Sequence, residues 1–348
     1  MSRIRTSASR GACAPAKYNR YLPAFDPFFK NAHLATLAGN FWARPKTEHR
    51  WPVEPVIYCT EPGVQVLVHT QRPESQARGE VILVHGLEGS SDAGYARSMA
   101  YAALEAGYMT HRFNMRSCGG TENLALSNYH SGQTCDLLYV VRERKRQSGL
   151  PLFVTGFSLG GNVALKLAGD LGESARELFS GVCAVSAPID LKACAVALGR
   201  RRNFLYSRRF LSRLKQRIRL RHAQAPEIYT LEHLHHIRTI YDFDDYYTAR
   251  LFGFGSADNY YRTQSSNQVL ENIRIPALVV QAKDDPLIPF SVFDHPAFRN
   301  NPRLRLVAVD HGGHLGFIAR RRPRFWLDGV VMEWVHEIAN KQPASLVS

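Results

Sequence analysis

The 348-residue sequence is sparing with the signals that mark several classes of protein. Its six cysteines, Cys13, Cys59, Cys118, Cys135, Cys183 and Cys194, form no C-x-x-C pair, which excludes a zinc ribbon and a thioredoxin-type redox site. Scattered thiols fit a reducing, cytoplasmic setting better than a disulfide framework. No run of about eighteen apolar residues occurs, so no membrane span is expected. Residues 1–17 carry charge but no apolar stretch before Ala14-Pro15, so no secretory signal is expected either. There is no internal repeat and no low-complexity tract. Acidic residues are in short supply, 30 against 44 Lys and Arg, which leaves a net charge of +14.

What is present suits a large globular domain: 45% of residues are apolar and 21% charged, enough to bury a core. The basic surplus is local. Residues 1–50 hold nine Lys/Arg against Asp26 and Glu48, residues 200–221 hold ten with no acid, and Arg320, Arg321, Arg322 and Arg324 add four more. Such patches suit an anionic lipid surface or an anionic substrate, and equally a solvated surface. No nucleic-acid partner is expected, because no reading module accompanies the arginines.

Alternating or continuous apolar runs predict strands at 64–70, 80–85, 109–113, 151–155, 181–185, 276–281 and 305–309. Helical spacing predicts helices at 93–106, 135–146, 161–171 and 326–339. That alternation implies βαβ crossovers and a mainly parallel sheet covered by helices on both faces. It breaks at 191–267, an Arg-rich then aromatic stretch expected to form a helical cap over the strand ends. The expected organisation is therefore a basic extension at 1–50 packing on the core, core segments at 51–190 and 268–340, the cap at 191–267, and a frayed tail at 341–348.

The string Gly156-Phe157-Ser158-Leu159-Gly160 lies between a predicted strand and a predicted helix, the setting of a nucleophile elbow. There Ser158 would stand at the strand's C-terminal end beside the Leu159 amide. A serine nucleophile needs a base and a carboxylate in the chain order Ser, Asp, His. Asp285 follows the strand at 276–281, in Asp284-Asp285-Pro286-Leu287-Ile288-Pro289, with Asp284 as the alternative. His314 follows the last strand in His311-Gly312-Gly313-His314, where the two glycines favour it over His311. A second oxyanion donor is expected from the Leu87 amide in His85-Gly86-Leu87-Glu88-Gly89, with His85 orienting that loop.

With these motifs the chain resembles an α/β-hydrolase, and within that fold the YheT-like branch, related to eukaryotic membrane-anchored monoacylglycerol and medium-chain ester hydrolases. The resemblance runs from about Phe28 to Trp334. It also rests on Asn31-Ala32-His33-Leu34-Ala35-Thr36-Leu37, Asn114-Met115-Arg116-Ser117-Cys118-Gly119-Gly120, Tyr129-His130-Ser131-Gly132, Phe243-Asp244-Asp245 and Asp258-Asn259-Tyr260-Tyr261. Family members commonly have Arg-Gly-Cys at 116–118 and Pro-His-Leu-Gln-Thr at 32–36, departures that leave the triad untouched. The resemblance implies a serine esterase with Ser158, Asp285 and His314 as triad, an acyl-enzyme, and no metal or organic cofactor. It implies substrates among short- or medium-chain acyl esters or monoacylglycerol-like lipids, with acyl transfer to an alcohol as the alternative. The relatives' N-terminal anchor is not recognised here. A cytoplasmic protein is expected, with peripheral contact at anionic membrane through a basic amphipathic segment at 200–221.

Overall fold

The computed structural model describes residues 24–341. Residues 1–23 of the basic extension, Cys13 among them, and 342–348 of the tail lie outside the described residues. Strands β1 (Glu54–Glu61), β2 (Val64–Gln71), β3 (Gly79–Val84), β4 (Tyr108–Phe113), β5 (Leu152–Phe157), β6 (Gly181–Val185), β7 (Ala277–Ala282) and β8 (Leu304–Val309) form one sheet in the order β1-β2-β4-β3-β5-β6-β7-β8. The pairs β1–β2 and β2–β4 are antiparallel, and every pair from β4 to β8 is parallel.

The strand period of two sorts the sheet's side chains onto its two faces. On one face Ile82, Val84, Leu152, Val154 and Val279 pack with Leu137, Val140, Val163 and Leu167 of helices α3 (Cys135–Ser148) and α4 (Leu159–Leu171). On the other, Val81, Leu83, Phe153, Leu278 and Val280 pack with Met99 and Ala103 of α2 (Gly94–Glu105) and with Val331 and Trp334 of the C-terminal helix Trp326–Lys341. Every residue of β3 to β7 is buried, so β3, β5, β6 and β7 read as largely apolar runs, whereas β4 carries the buried polar residues Thr110, His111 and Arg112.

Apart from short helical turns, a strand and a helix of the core escape the periodicity reading. Strand β1 is an edge strand with most of its side chains at least partly exposed, and it carries Pro55. Helix α1 (Ala32–Phe41) leaves Leu34, Leu37 and Phe41 exposed, so its apolar residues follow no inward stripe. Its N-cap is Asn31, whose side-chain oxygen accepts from the His33 and Leu34 amides. The preceding residues dock on the core, where the Phe28 amide donates to the Ile318 carbonyl and Arg320 to that of Asp26.

Between β6 and β7 the chain forms helices joined by turns, with no strand among the described residues, and helices Leu191–Leu198, Phe204–Gln224 and Ala257–Gln264 are the longest. In the 21-residue helix Phe204–Gln224, Leu211, Leu214 and Ile218 turn inward against Tyr229, Ile240, Phe243 and Tyr247. The sequence reading of this helix needs correcting. The amphipathic segment expected at 200–221 does not keep all its cations outside: Arg221 is buried and Arg217 largely buried, both bound to neighbours, while Phe204 is 58% exposed.

Candidate active site

Ser158 sits between the end of β5 and the start of α4 with φ +52°, a backbone region costly for a side chain. Its amide donates to the Val185 carbonyl of β6 at 2.8 Å, which pins the turn to the sheet. The flanking glycines are a matter of space. A Cβ on Gly156 would collide with the Gly160 carbonyl, and one on Gly160 with the carbonyls of Val84, the last residue of β3, and of His85 after it. The tight turn aims the Ser158 hydroxyl outward, half-exposed, at the C-terminal edge of the sheet.

Two loops on the same edge supply its partners. His314 Nε2 lies 2.9 Å from Ser158 Oγ, and His314 Nδ1 lies 2.9 Å from Asp285 Oδ2. Asp285 is held by the Leu287 and Ile288 amides, which donate to Oδ1 at 2.8 and 3.1 Å, and by Gln281 Nε2, which donates to Oδ2. These bonds fix the carboxylate's plane, so one oxygen faces the imidazole. Asp284 points elsewhere: it accepts from the Gly313 amide at 2.8 Å and meets His311 Nδ1 at 3.3 Å. The geometry thus joins Ser158, His314 and Asp285 in one hydrogen-bonded line and leaves Asp284 and His311 as a neighbouring pair.

Thr36, a residue the sequence reading gave no role, positions the histidine from 278 residues away in sequence. Its Oγ1 accepts from the His314 amide at 2.9 Å and donates to the Ala32 carbonyl at 2.7 Å. Gly313 runs so close to α1 that a Cβ would strike the Ala32 carbonyl, and its φ of +57° is left-handed.

The loop after β3 packs against the serine: a Cβ on Gly86 would lie 3.0 Å from Ser158 Cβ. That brings the next residue, Leu87, beside Ser158, while Leu159 begins α4 on the other side. His85 is fully buried and its pKa is lowered to about 4, chiefly by desolvation, so the ring is neutral. Nε2 accepts from the Met115 amide at 3.2 Å, which leaves Nδ1 to donate to the Gly86 carbonyl at 2.8 Å. The ring is a strut for the loop, as the sequence reading expected.

Further supports of this loop were not legible in the sequence. The Tyr95 hydroxyl accepts from the Gly86 amide at 2.9 Å, and the Tyr129 hydroxyl accepts from the Glu88 amide and donates to Glu88 Oε1. Arg217, from the long helix, grips the Glu88 carboxylate with two nitrogens at 2.8 and 3.0 Å, and Arg213 donates to the Glu88 carbonyl at 3.0 Å. The same inserted segment reaches the loop that carries Asp285, where Asn203 Nδ2 donates to the Pro286 carbonyl at 2.6 Å. It also reaches α1, where His33 Nδ1 and the Tyr206 hydroxyl lie 3.1 Å apart. Four side-chain-bearing residues at or beside the site, Glu88, Ser158, Ser186 and Leu315, adopt positive φ. Such strain collects where a site is held against its local preference.

Two voids meet at Ser158 and His314. One runs under the inserted helices and is walled by Leu191, Ala195, Leu198, Ile240, Phe243 and Leu251. The other opens between α1 and the long helix, with Arg202, Arg209 and Arg213 along it. Among the described residues, one cluster has metal-ligand character, Glu61, Cys135 and Asp136. It lies apart from Ser158, and the Arg116 guanidinium already pairs with Asp136 at 2.6 Å and Glu61 at 3.0 Å. No described helix is long and apolar enough to cross a membrane.

Residues 80–320 match the family model of the alpha/beta hydrolase fold. The chain belongs to that family. It is 31% identical over 315 residues to "Putative esterase YheT" of Escherichia coli (strain K12), covering 88% of this chain and 91% of that protein. It is 28% identical to "Phospholipase ABHD3" of Mus musculus over 77% of this chain and 67% of that protein. Among solved structures, the Pyrococcus furiosus esterase Pf2001 superposes with a TM-score of 0.56 at 18% identity, over 85% of this chain and 99% of that one. The fold is thereby that of an alpha/beta hydrolase, and the chain is an enzyme of the esterase and lipase type.

Proposed function

We propose that this hydrolase cleaves carboxylic esters by covalent catalysis at Ser158. His314, oriented by Asp285, removes the hydroxyl proton as Oγ attacks the ester carbonyl, and the Leu87 and Leu159 amides hold the oxyanion. His314 then protonates the departing alcohol, and water attacks the acyl-enzyme by the same path in reverse. The observation that carries this reading is the continuous line from Ser158 Oγ through His314 to Asp285, at 2.9 Å for each link, at the floor of an apolar cavity. Segment 191–267 acts as a cap whose inner wall receives the acyl chain, which favours short- to medium-chain esters and monoacylglycerol-like lipids. No step requires a metal or an organic cofactor.

The decisive experiment is labelling by a fluorophosphonate run beside a p-nitrophenyl ester series from acetate to palmitate. Labelling lost in Ser158→Ala, with turnover peaking at intermediate chain length, supports the reading. Labelling that persists in Ser158→Ala refutes it.

The long helix and α1 together present Phe204, Leu205, Leu37 and Phe41 to solvent beside Arg201, Arg202 and Arg208, a composition suited to peripheral contact with an anionic membrane. Pelleting with phosphatidylglycerol vesicles but not neutral ones, weakening with salt, supports that contact. Equal pelleting with both, or none, overturns it.

A further inference from the structure

An ester bound at Ser158 has two substituents, and two voids meet there, one mostly apolar and the other edged by arginines. The apolar cavity offers Leu191, Leu198, Ile240 and Phe243 and is covered by the inserted helices. A hydrocarbon chain gains about 0.8 kcal/mol per buried methylene in such a place, so the acyl chain belongs in it. The alcohol is left with the open cleft.

That cleft is not neutral. Arg202, Arg209, Arg213 and Arg217 line it, against Glu88, Asp92 and Glu122. Arg217 is spent on Glu88 at 2.8 Å, and Asp92 is paired with Arg112 at 3.0 Å. Arg213 donates to the Glu88 carbonyl, a neutral acceptor, and so keeps its full charge. Arg202 and Arg209 have no hydrogen-bond or ion-pair partner among the described residues and are exposed. They lie seven residues apart, two helical turns, so their side chains share one face of the long helix and its preceding turn. The cleft therefore carries two uncommitted guanidinium groups beside Arg213, with Glu122 as the acid left to offset them.

We infer that the favoured substrates are acyl esters whose alcohol carries a net negative charge, a phosphate above all, held by Arg202 and Arg209 while the acyl chain fills the apolar cavity. This deepens the ester-hydrolase reading and rests on it. The acyl carbon–oxygen bond breaks, water supplies hydroxyl to the acyl group and a proton to the alcohol oxygen, and the phosphate ester itself stays intact. Guanidinium groups suit phosphate because their planar forks match its oxygens and stay charged at every working pH.

The test compares kcat/KM for monodecanoylglycerol phosphate, monodecanoylglycerol and monodecanoylglycerophosphocholine, each below its aggregation concentration, with p-nitrophenyl decanoate as the report on the reaction itself. The expected result is a preference of about tenfold for the phosphate over the neutral and zwitterionic esters at low salt, the size of one screened charge-assisted hydrogen bond. The preference shrinks as salt rises, collapses toward unity in Arg202→Gln/Arg209→Gln, and inverts in Arg202→Glu/Arg209→Glu. Equal kcat/KM for the three glycerol esters, with p-nitrophenyl decanoate turned over, overturns this inference alone. No turnover of any ester overturns it together with the hydrolase reading. A preference seen only when the phosphate ester is presented in anionic vesicles assigns the arginines to surface docking and overturns the substrate role.

Discussion

The ion pair between Arg217 and Glu88 joins the inserted helix to the loop that carries the Leu87 amide, and Arg217→Met tests what that join is worth. Methionine keeps much of the apolar stem while removing both bonds to Glu88 at 2.8 and 3.0 Å. The two side chains are 12% and 6% exposed, so Glu88 would be left as a nearly buried carboxylate whose remaining hydrogen-bond partner among the described residues is the Tyr129 hydroxyl. Breaking such a pair costs roughly 3 kcal/mol or more of folding stability. The loop has a second way out, which is to swing Glu88 toward water. Because Glu88 holds a positive φ next to Leu87, that swing displaces the Leu87 amide. Losing an oxyanion donor outright costs about 10²–10³ in kcat, so a displaced one should cost between about tenfold and that limit, with KM less affected. The assays are kcat and KM on a p-nitrophenyl ester and urea unfolding, for Arg217→Met, Glu88→Gln and the double variant. The double variant should regain part of the lost stability, since neither charge remains, while kcat stays low. An Arg217→Met enzyme with kcat within twofold of wild type would refute the idea that the helix braces the oxyanion loop.

Other outcomes follow from the same geometry. Ser158→Ala should abolish ester turnover and fluorophosphonate labelling with an unchanged circular dichroism spectrum, and His314→Ala should lower kcat by about 10⁴-fold or more. Asp285→Asn should cost orders of magnitude in kcat through the wrong histidine tautomer, while Asp284→Asn, which can still accept from the Gly313 amide, should cost little; the reverse ranking would move the acid by one residue. His85 has a folded pKa of about 4 against 6.5 for the free side chain, so the unfolded chain takes up its proton first as pH falls. Wild-type stability should therefore drop relative to His85→Gln between pH 6.5 and about 4, by up to roughly 3 kcal/mol, as read from urea midpoints; parallel curves would show that the ring is not held neutral.

Much of the sheet could be read from apolar runs because a strand buried on both faces leaves an uninterrupted mark. Strands β3 and β5 are of that kind, and the glycine spacing around Ser158 is forced by two backbones passing at contact distance. Strand β1 and helix α1 could not be read so, since half-exposed edge elements bury too little to impose a period. Thr36 was invisible for another reason: its partner, the His314 amide, is brought to it only by the closed fold. Composition leaves the arginine run open between a membrane-facing and a solvated surface, because it does not say which way a side chain turns. The spacing of Phe210, Leu214, Arg217 and Arg221, at four, three and four residues, places all four on one stripe, and that stripe is the inward one. A heptad-like stripe that mixes arginine with leucine was the available sign of buried, paired cations.

The inserted segment touches the oxyanion loop through Arg213 and Arg217 and the acid's loop through Asn203. Under the proposed reading the segment is a lid, and a lid invites exchange between relatives as a route to new substrate preference. Here such a graft would carry away part of the scaffold that aims the amide and the carboxylate, and a donor lid lacking these three contacts would bring its selectivity without its rate. Evolution of this chain toward other esters is thus channelled into the cavity-facing residues of the segment, with Asn203, Arg213 and Arg217 held constant as the hinge pins of the reaction.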